Sequence, residues 1–191
     1  MNRLERLNSF VVNEVEHILY DMEKDISQKE KEYTEFYKSQ LLSLFESICS
    51  LQKNYRISDI GIISVVLSRV NLDNNLFFYN INLYPQHLYY DTYTMDFSLD
   101  VSNIYHFFEY ARNCLYNTLQ QSTDKFQICE INSSLNQYIQ YFNIYIVKIL
   151  KKVLKEKEVL DRIHQMKTTN DFCVVQNELY ELPYLLYEKH L

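Results

Sequence analysis

Residues 60–83 read IGIISVVLSRVNLDNNLFFYNINL, and the fold turns on this stretch. Ile63, Val65 and Leu67 alternate with Ser64, Val66 and Ser68, the period of two that belongs to a strand rather than a helix. The alternation returns at Phe77, Tyr79, Ile81 and Leu83, set against Phe78, Asn80 and Asn82. Between the two runs lies Asp73-Asn74-Asn75, residues whose short polar side chains bond their own backbone in turns. Strands over 60–72 and 77–83 with so short a connection are expected to pair antiparallel. Tyr84-Pro85-Gln86 ends the second, because proline cannot donate to a ladder. A third strand is expected over 88–99. The result is a three-stranded antiparallel meander, or four strands if 171–180, around Phe172-Cys173-Val174-Val175, adds one at the sheet edge.

On either side the period changes to that of helices. Leu4, Leu7, Val11, Val15, Ile18, Met22 and Ile26 recur at spacings of three and four, one apolar stripe on a long helix. A second stripe runs through Tyr33, Tyr37, Leu41, Leu44, Ile48 and Leu51. The charge-dense residues 23–32 between them are either a turn, giving a hairpin, or exposed continuous helix. After the meander, Asp100 or Ser102 suits an N-cap for a helix carrying Ile104, Phe107, Phe108, Ala111, Leu115 and Leu119. Another long helix is expected from Ile131 to Leu154, with 155–167 extending it or forming a short successor. The chain therefore reads as one α+β domain over 1–191, in the order ααβββαα(α)β. Its parts are a helical pair (1–53), a β-meander (57–99), helices (100–168) and a C-terminal strand or tail (171–191).

Composition narrows the function. The 191 residues include 18 Tyr and 11 Phe but no Trp, one Gly and two Pro. The scarce types have GC-rich codons, so an AT-rich genome accounts for much of the tyrosine. A chain with Gly61 alone cannot form a GxGxxG or GxxxxGK[ST] phosphate loop, nor a GxSxG nucleophile elbow. A formal net charge of −6 opposes uniform binding to a phosphate backbone. Basic residues cluster once, at Lys148, Lys151, Lys152, Lys155 and Lys157, interleaved with Ile149, Leu150, Val153 and Leu154. Such a run is usually the solvated side of an amphipathic helix, with nucleic-acid binding as the alternative. Charges at Arg3, Glu5 and Arg6, with no apolar run behind them, do not make a signal peptide. The apolar stretch 139–150 is too short to span a bilayer. Four cysteines without a CxxC read as reduced, mostly buried thiols, and a cytoplasmic location is expected.

Glu14-x-x-His17 and Asp161-x-x-His164 each place a carboxylate and an imidazole on one helix face, the spacing seen in carboxylate-bridged di-metal bundles. The further glutamates such a site needs are not evident, and two solvated helical histidines are the simpler reading. No cofactor is expected. His106 with Asp100 and Arg112 are the polar groups that an enzyme or ligand pocket between sheet and helices would use. Arg69, in an otherwise apolar strand, is either an anion clamp or an edge-strand charge that blocks aggregation. Tyr84, Tyr89, Tyr90 and Tyr93 are the candidates for a partner-binding face, if helices leave one side of the sheet open.

The segments Ile63-Ser-Val-Val-Leu-Ser-Arg-Val-Asn, Asn80-Ile-Asn-Leu-Tyr and Leu88-Tyr-Tyr-Asp resemble small uncharacterised cytosolic proteins of low-GC Gram-positive bacteria. In that group a similar meander precedes helices. The resemblance covers residues 57–110 and implies that arrangement without an activity. Acidity, aromatic wealth and the lack of a catalytic motif together suggest a non-catalytic protein-interaction module. Its expected partner is a basic protein, which it would bind as an inhibitor or immunity-type protein.

Overall fold

Asn2 caps the first helix, α1 (Arg3–Gln28). Its side chain accepts the Glu5 N–H at 2.8 Å, while its own N–H donates to the Glu5 carboxylate at 2.8 Å, closing a capping box. The computed structural model describes residues 2–54, 56–85, 93–121, 125–178 and 183–189. They form two units, each built from two stretches of chain: Met1–Glu30 with Ser102–Ile146, and Lys31–Val101 with Val147–Leu191. Among the described residues there are seven helices and one mixed five-stranded sheet.

The first unit is helical. α1 buries Leu7, Val11, Val15, Ile18 and Met22, the centre of its apolar stripe, while Leu4 remains exposed. With it are α4 (Ser102–Gln120), α5 (Ile128–Asn136) and the start of α6 (Ile139–Val153). An aromatic cluster forms the centre. The Phe108 and Phe142 rings meet edge to face at 5.4 Å, and Tyr105 stacks on Phe142 at 6.3 Å. The buried Tyr105 hydroxyl donates to Asn143 Oδ1 at 2.6 Å, so a polar atom enters the core with its partner.

The expected long helix over 131–154 is two helices. Asn136 is a poor helix former, and tight bonds from Tyr138 N–H to Leu135 C=O (2.9 Å) and Tyr141 N–H to Tyr138 C=O (3.0 Å) make the corner.

Arg3 fixes the end of α1 to α5. Both its terminal guanidinium nitrogens reach Glu130 at 2.7 Å, and the Gln127 N–H donates to the same carboxylate at 2.8 Å. Arg3 first, and the Gln127 amide second, hold the Glu130 carboxyl down from its ordinary 4.5 to about 2. A depressed folded-state pKa contributes stability that is complete above 4.5 and fades as the pH falls towards 2. Arg3→Met is therefore expected to be less stable than wild type above pH 4.5, with the gap closing between 4.5 and 2. Chemical denaturation across that window measures it. A gap that does not change with pH would refute the assignment.

The second unit holds the sheet, in the order β3-β2-β1-β4-β5. β1 (Ile60–Leu67) pairs antiparallel with β2 (Phe78–Tyr84), and β2 antiparallel with β3 (Tyr93–Asp100). β4 (Thr168–Glu178) lies parallel to β1, and β5 (Tyr184–Glu188) antiparallel to β4. The meander is thus one part of a mixed sheet. The strand expected at the edge, β4, is interior, because β5 pairs along the side that β1 leaves free.

One face carries Ile63, Val65, Tyr79, Ile81, Leu83, Leu99, Phe172 and Val174, all buried. The opposite face carries Ser64, whose hydroxyl donates to Asn177 Oδ1 at 2.8 Å. β1 stops at Leu67 rather than Leu72, and a short helix, α3 (Arg69–Asp73), follows. Ser68 at its start accepts the Asn71 and Leu72 N–H groups, and Asn75 takes a left-handed φ of 59° after it.

α2 (Glu30–Lys53) follows α1 after an interruption at Lys29 and buries Tyr33, Tyr37, Leu41, Leu44, Phe45 and Ile48. Two polar side chains tie it to distant chain. Lys38 Nζ lies 2.8 Å from Glu158 and 3.1 Å from Glu156, at the start of α7 (Lys157–Gln165). The Glu158 and then the Glu156 carboxylate raise the lysine above its usual range. Gln52, 3% exposed, donates to Ser58 C=O (3.0 Å) and Lys167 C=O (2.7 Å) and accepts the Lys167 N–H (2.9 Å). It closes the approaches to β1 and β4.

Candidate functional site

The exposed side of α1 in the first unit is not uniformly polar. Phe10, Glu14, His17 and Asp21 follow one another at steps of four, three and four and share one helix flank. Phe10 is 42% exposed and Tyr110, on α4, is 59% exposed. The Tyr110 hydroxyl shares a hydrogen bond with the Cys114 thiol, four residues on. That bond first, and then burial, Glu14 and Asp21, push the phenol above its usual value of 10. Tyr110 therefore stays a neutral hydroxyl on an exposed aromatic ring, within electrostatic reach of two carboxylates.

A groove in the second unit lies between α2 and β3. Two adjoining cavities, of about 370 and 490 Å³, share Ser43, Ser47 and Phe97. Ser39, Gln40 and Ser98 continue the groove at one end, and Glu46, Ser50 and Leu51 at the other. The serines recur at steps of four, four and three, a second stripe on α2 beside its apolar one. The hydroxyls of Ser39 and Ser47 donate back to Phe36 C=O and Ser43 C=O at 2.9 Å, which leaves their oxygens as acceptors.

Gln40 closes one end of the groove. It donates to Asp100 C=O at 3.1 Å and accepts the Asp100 N–H at 2.7 Å, the pair of bonds a neighbouring strand would make.

The sequence-derived candidates are scattered over the structure. His106 is exposed on α4 with its ring against Phe107 at 3.9 Å, whereas Arg112 on the same helix is buried. Asp100 ends β3 in the other unit, with its backbone held by Gln40. None of the three lines the groove.

Glu14 and His17 belong to the first unit; Asp161 and His164, exposed on α7, belong to the second. Among the described residues no group of three or more His, Cys, Asp or Glu is placed to hold a metal.

Tyr84 is 2% exposed and so belongs to the core, not to a docking face. Tyr93 starts β3 opposite Leu83, and Tyr89 and Tyr90 lie outside the described residues. Arg69 opens α3, which corrects its placement in a strand and with it the reading as an edge-strand charge.

Lys148, Lys151, Lys152, Lys155 and Lys157 face solvent while Val153 and Leu154 are buried, the amphipathic arrangement that the spacing suggests. Among the cysteines, all free, only Cys49 is buried, and Cys129 is exposed. Among the described residues no helix is long and apolar enough to cross a membrane.

Sequence reading missed the groove, although its signal was present in Ser39, Ser43, Ser47 and Ser50. A serine stripe on a helix looks like ordinary solvated surface until a strand is known to lie beside it. Comparison with family models, curated proteins and solved structures finds no match to this chain.

Proposed function

We propose that this chain is a non-catalytic module that docks a basic protein, in the manner of an inhibitor or immunity-type protein. The observations that carry the reading are the exposed Tyr110 ring on α4 and the flank of α1 that carries the exposed Phe10 with Glu14 and Asp21, whose charges reach the phenol. Aromatic rings with a polar tip supply contact area at interface centres. Carboxylates around them steer a positively charged partner and penalise an acidic one. The net charge of −6 acts in the same direction at longer range.

The test is affinity capture from the native host at native expression level. Wild type is compared with Tyr110→Ala and with a Glu14→Lys/Asp21→Lys double variant. Wild type is expected to retain a basic protein. Removal of a central tyrosine is expected to weaken binding roughly 30-fold, as for a residue worth about 2 kcal/mol. The charge reversals are expected to slow association, with an effect that shrinks as salt rises. If wild type retains no partner, or the retained protein is indifferent to both variants, the reading fails.

A further inference from the structure

We infer that the groove between α2 and β3 takes an extended, basic peptide segment, which adds to the sheet as a sixth strand alongside β3. This rests on the reading above only in the sign of the partner's charge; the site, the mode of binding and the unit that provides it are different.

The first support is the direction of the β3 backbone. Among the described residues β3 is the last strand at its end of the sheet. Val101 N–H donates to Phe77 C=O at 2.9 Å, and Asp100 stands opposite Phe78 and Ser98 opposite Asn80. In an antiparallel ladder, bonded and non-bonded pairs alternate. Asp100 and Ser98 therefore turn their N–H and C=O away from β2. Gln40 takes the pair on Asp100. Among the described residues nothing bonds the pair on Ser98, which lines the groove, so it can take a chain laid alongside.

The second support is room. From Ser39 to Leu51 the wall of α2 runs about 18 Å at the ~1.5 Å rise of a helix, enough for roughly five extended residues at ~3.3 Å each. The serines keep that wall low, and Leu44 and Phe97 give it an apolar floor.

The third support is the chemistry of the wall. The Ser39 and Ser47 protons are committed to the helix backbone, and Glu46 adds a carboxylate. The two acceptor hydroxyls and the Glu46 carboxylate complement an occupant rich in N–H groups, which means lysine or arginine side chains alternating with apolar ones along a strand. A strand of acidic side chains would meet repulsion instead.

The probe is an acetylated, amidated eight-residue peptide alternating lysine and valine, titrated into the full chain and followed by amide NMR. Saturable binding is expected, with the Ser98 amide shifted and slowed in hydrogen exchange. The same peptide with glutamate for lysine is expected to bind at least 10-fold more weakly. Glu46→Lys is expected to weaken the lysine peptide, and Ser43→Arg, which fills the groove, to abolish its binding. Two peptides N-methylated at alternate residues in opposite phases are expected to differ at least 10-fold, because only one edge of the added strand donates to β3.

Absence of saturable binding overturns the inference, as does equal affinity of the two N-methylated peptides. So does a Ser98 shift that appears with protein concentration alone, which would make a second copy the occupant. Shifts confined to Phe10, Glu14 and Tyr110 would also overturn it while leaving the α1–α4 reading intact. Conversely, Glu14→Lys/Asp21→Lys is expected to leave the Ser98 response to the peptide unchanged.

Discussion

Phe142→Ala is expected to lower the unfolding free energy by about 3–5 kcal/mol, the range for removing a buried phenylalanine. Phe142 is fully buried and packs against both Phe108 and Tyr105. Its removal leaves a cavity walled by two rings held by their own helix, α4, so collapse around the gap is restricted. The Tyr105 hydroxyl bond to Asn143 sits beside that gap, and a loosened ring would strain it as well. Phe142→Leu fills most of the volume and is expected to cost less than half as much. Urea unfolding followed by circular dichroism measures both. A loss below about 1 kcal/mol for the alanine variant would mean that the three rings are not a packed centre.

Gln52→Met is expected to cost roughly 2–3 kcal/mol, although it keeps the side-chain length and adds an apolar group. The reason is polar. Gln52 serves three backbone atoms at once, two carbonyls and one N–H, in a setting that excludes water. Methionine can neither donate to Ser58 and Lys167 nor accept from Lys167, and buried groups that lose a partner cost about 1–3 kcal/mol each. Lys167 C=O keeps its bond from Ile60 N–H, which holds the loss below a sum of three. Gln52→Glu restores one acceptor without the donors and is expected to recover little. If Gln52→Met were neutral, the amide would be a passenger and the approaches to β1 and β4 would be held by the ladder alone. Denaturant midpoints, with hydrogen exchange at the Lys167 amide, distinguish the two.

How much of this was legible in the sequence follows from the range of the interactions involved. α1 and α2 are visible because their apolar residues recur within a turn or two, and the antiparallel neighbours β1, β2 and β3 because their connections are short. The centre of the sheet was not visible. Phe172-Cys173-Val174-Val175 identifies a strand, but nothing local says whether it lies inside a sheet or at its rim. Val70-Asn71-Leu72 looked like more strand because a five-residue helix is too short for its ~3.6-residue period to repeat. The break between α5 and α6 was hidden by apolar residues that keep helical spacing across it. At the surface, Glu14 and His17 were noticed for their spacing as metal ligands. The exposed Tyr110 ring comes from another helix, so no local spacing relates it to them. The groove needed two elements to be placed before Ser43 and Phe97 could be related.

The join at the middle of the sheet also constrains the order in which the chain can acquire its structure. Ser64 and Asn177, hydrogen-bonded across β1 and β4, stand 113 residues apart in sequence. Bringing such distant segments together costs loop entropy that no local contact offsets in advance. The β1–β2–β3 ribbon and the helices can form from neighbouring residues, but one long side of β1 stays bare until β4 arrives. During that interval an apolar strand with unpaired amides is open to any other chain, so crowding before completion is the condition under which this protein is most exposed to misassembly.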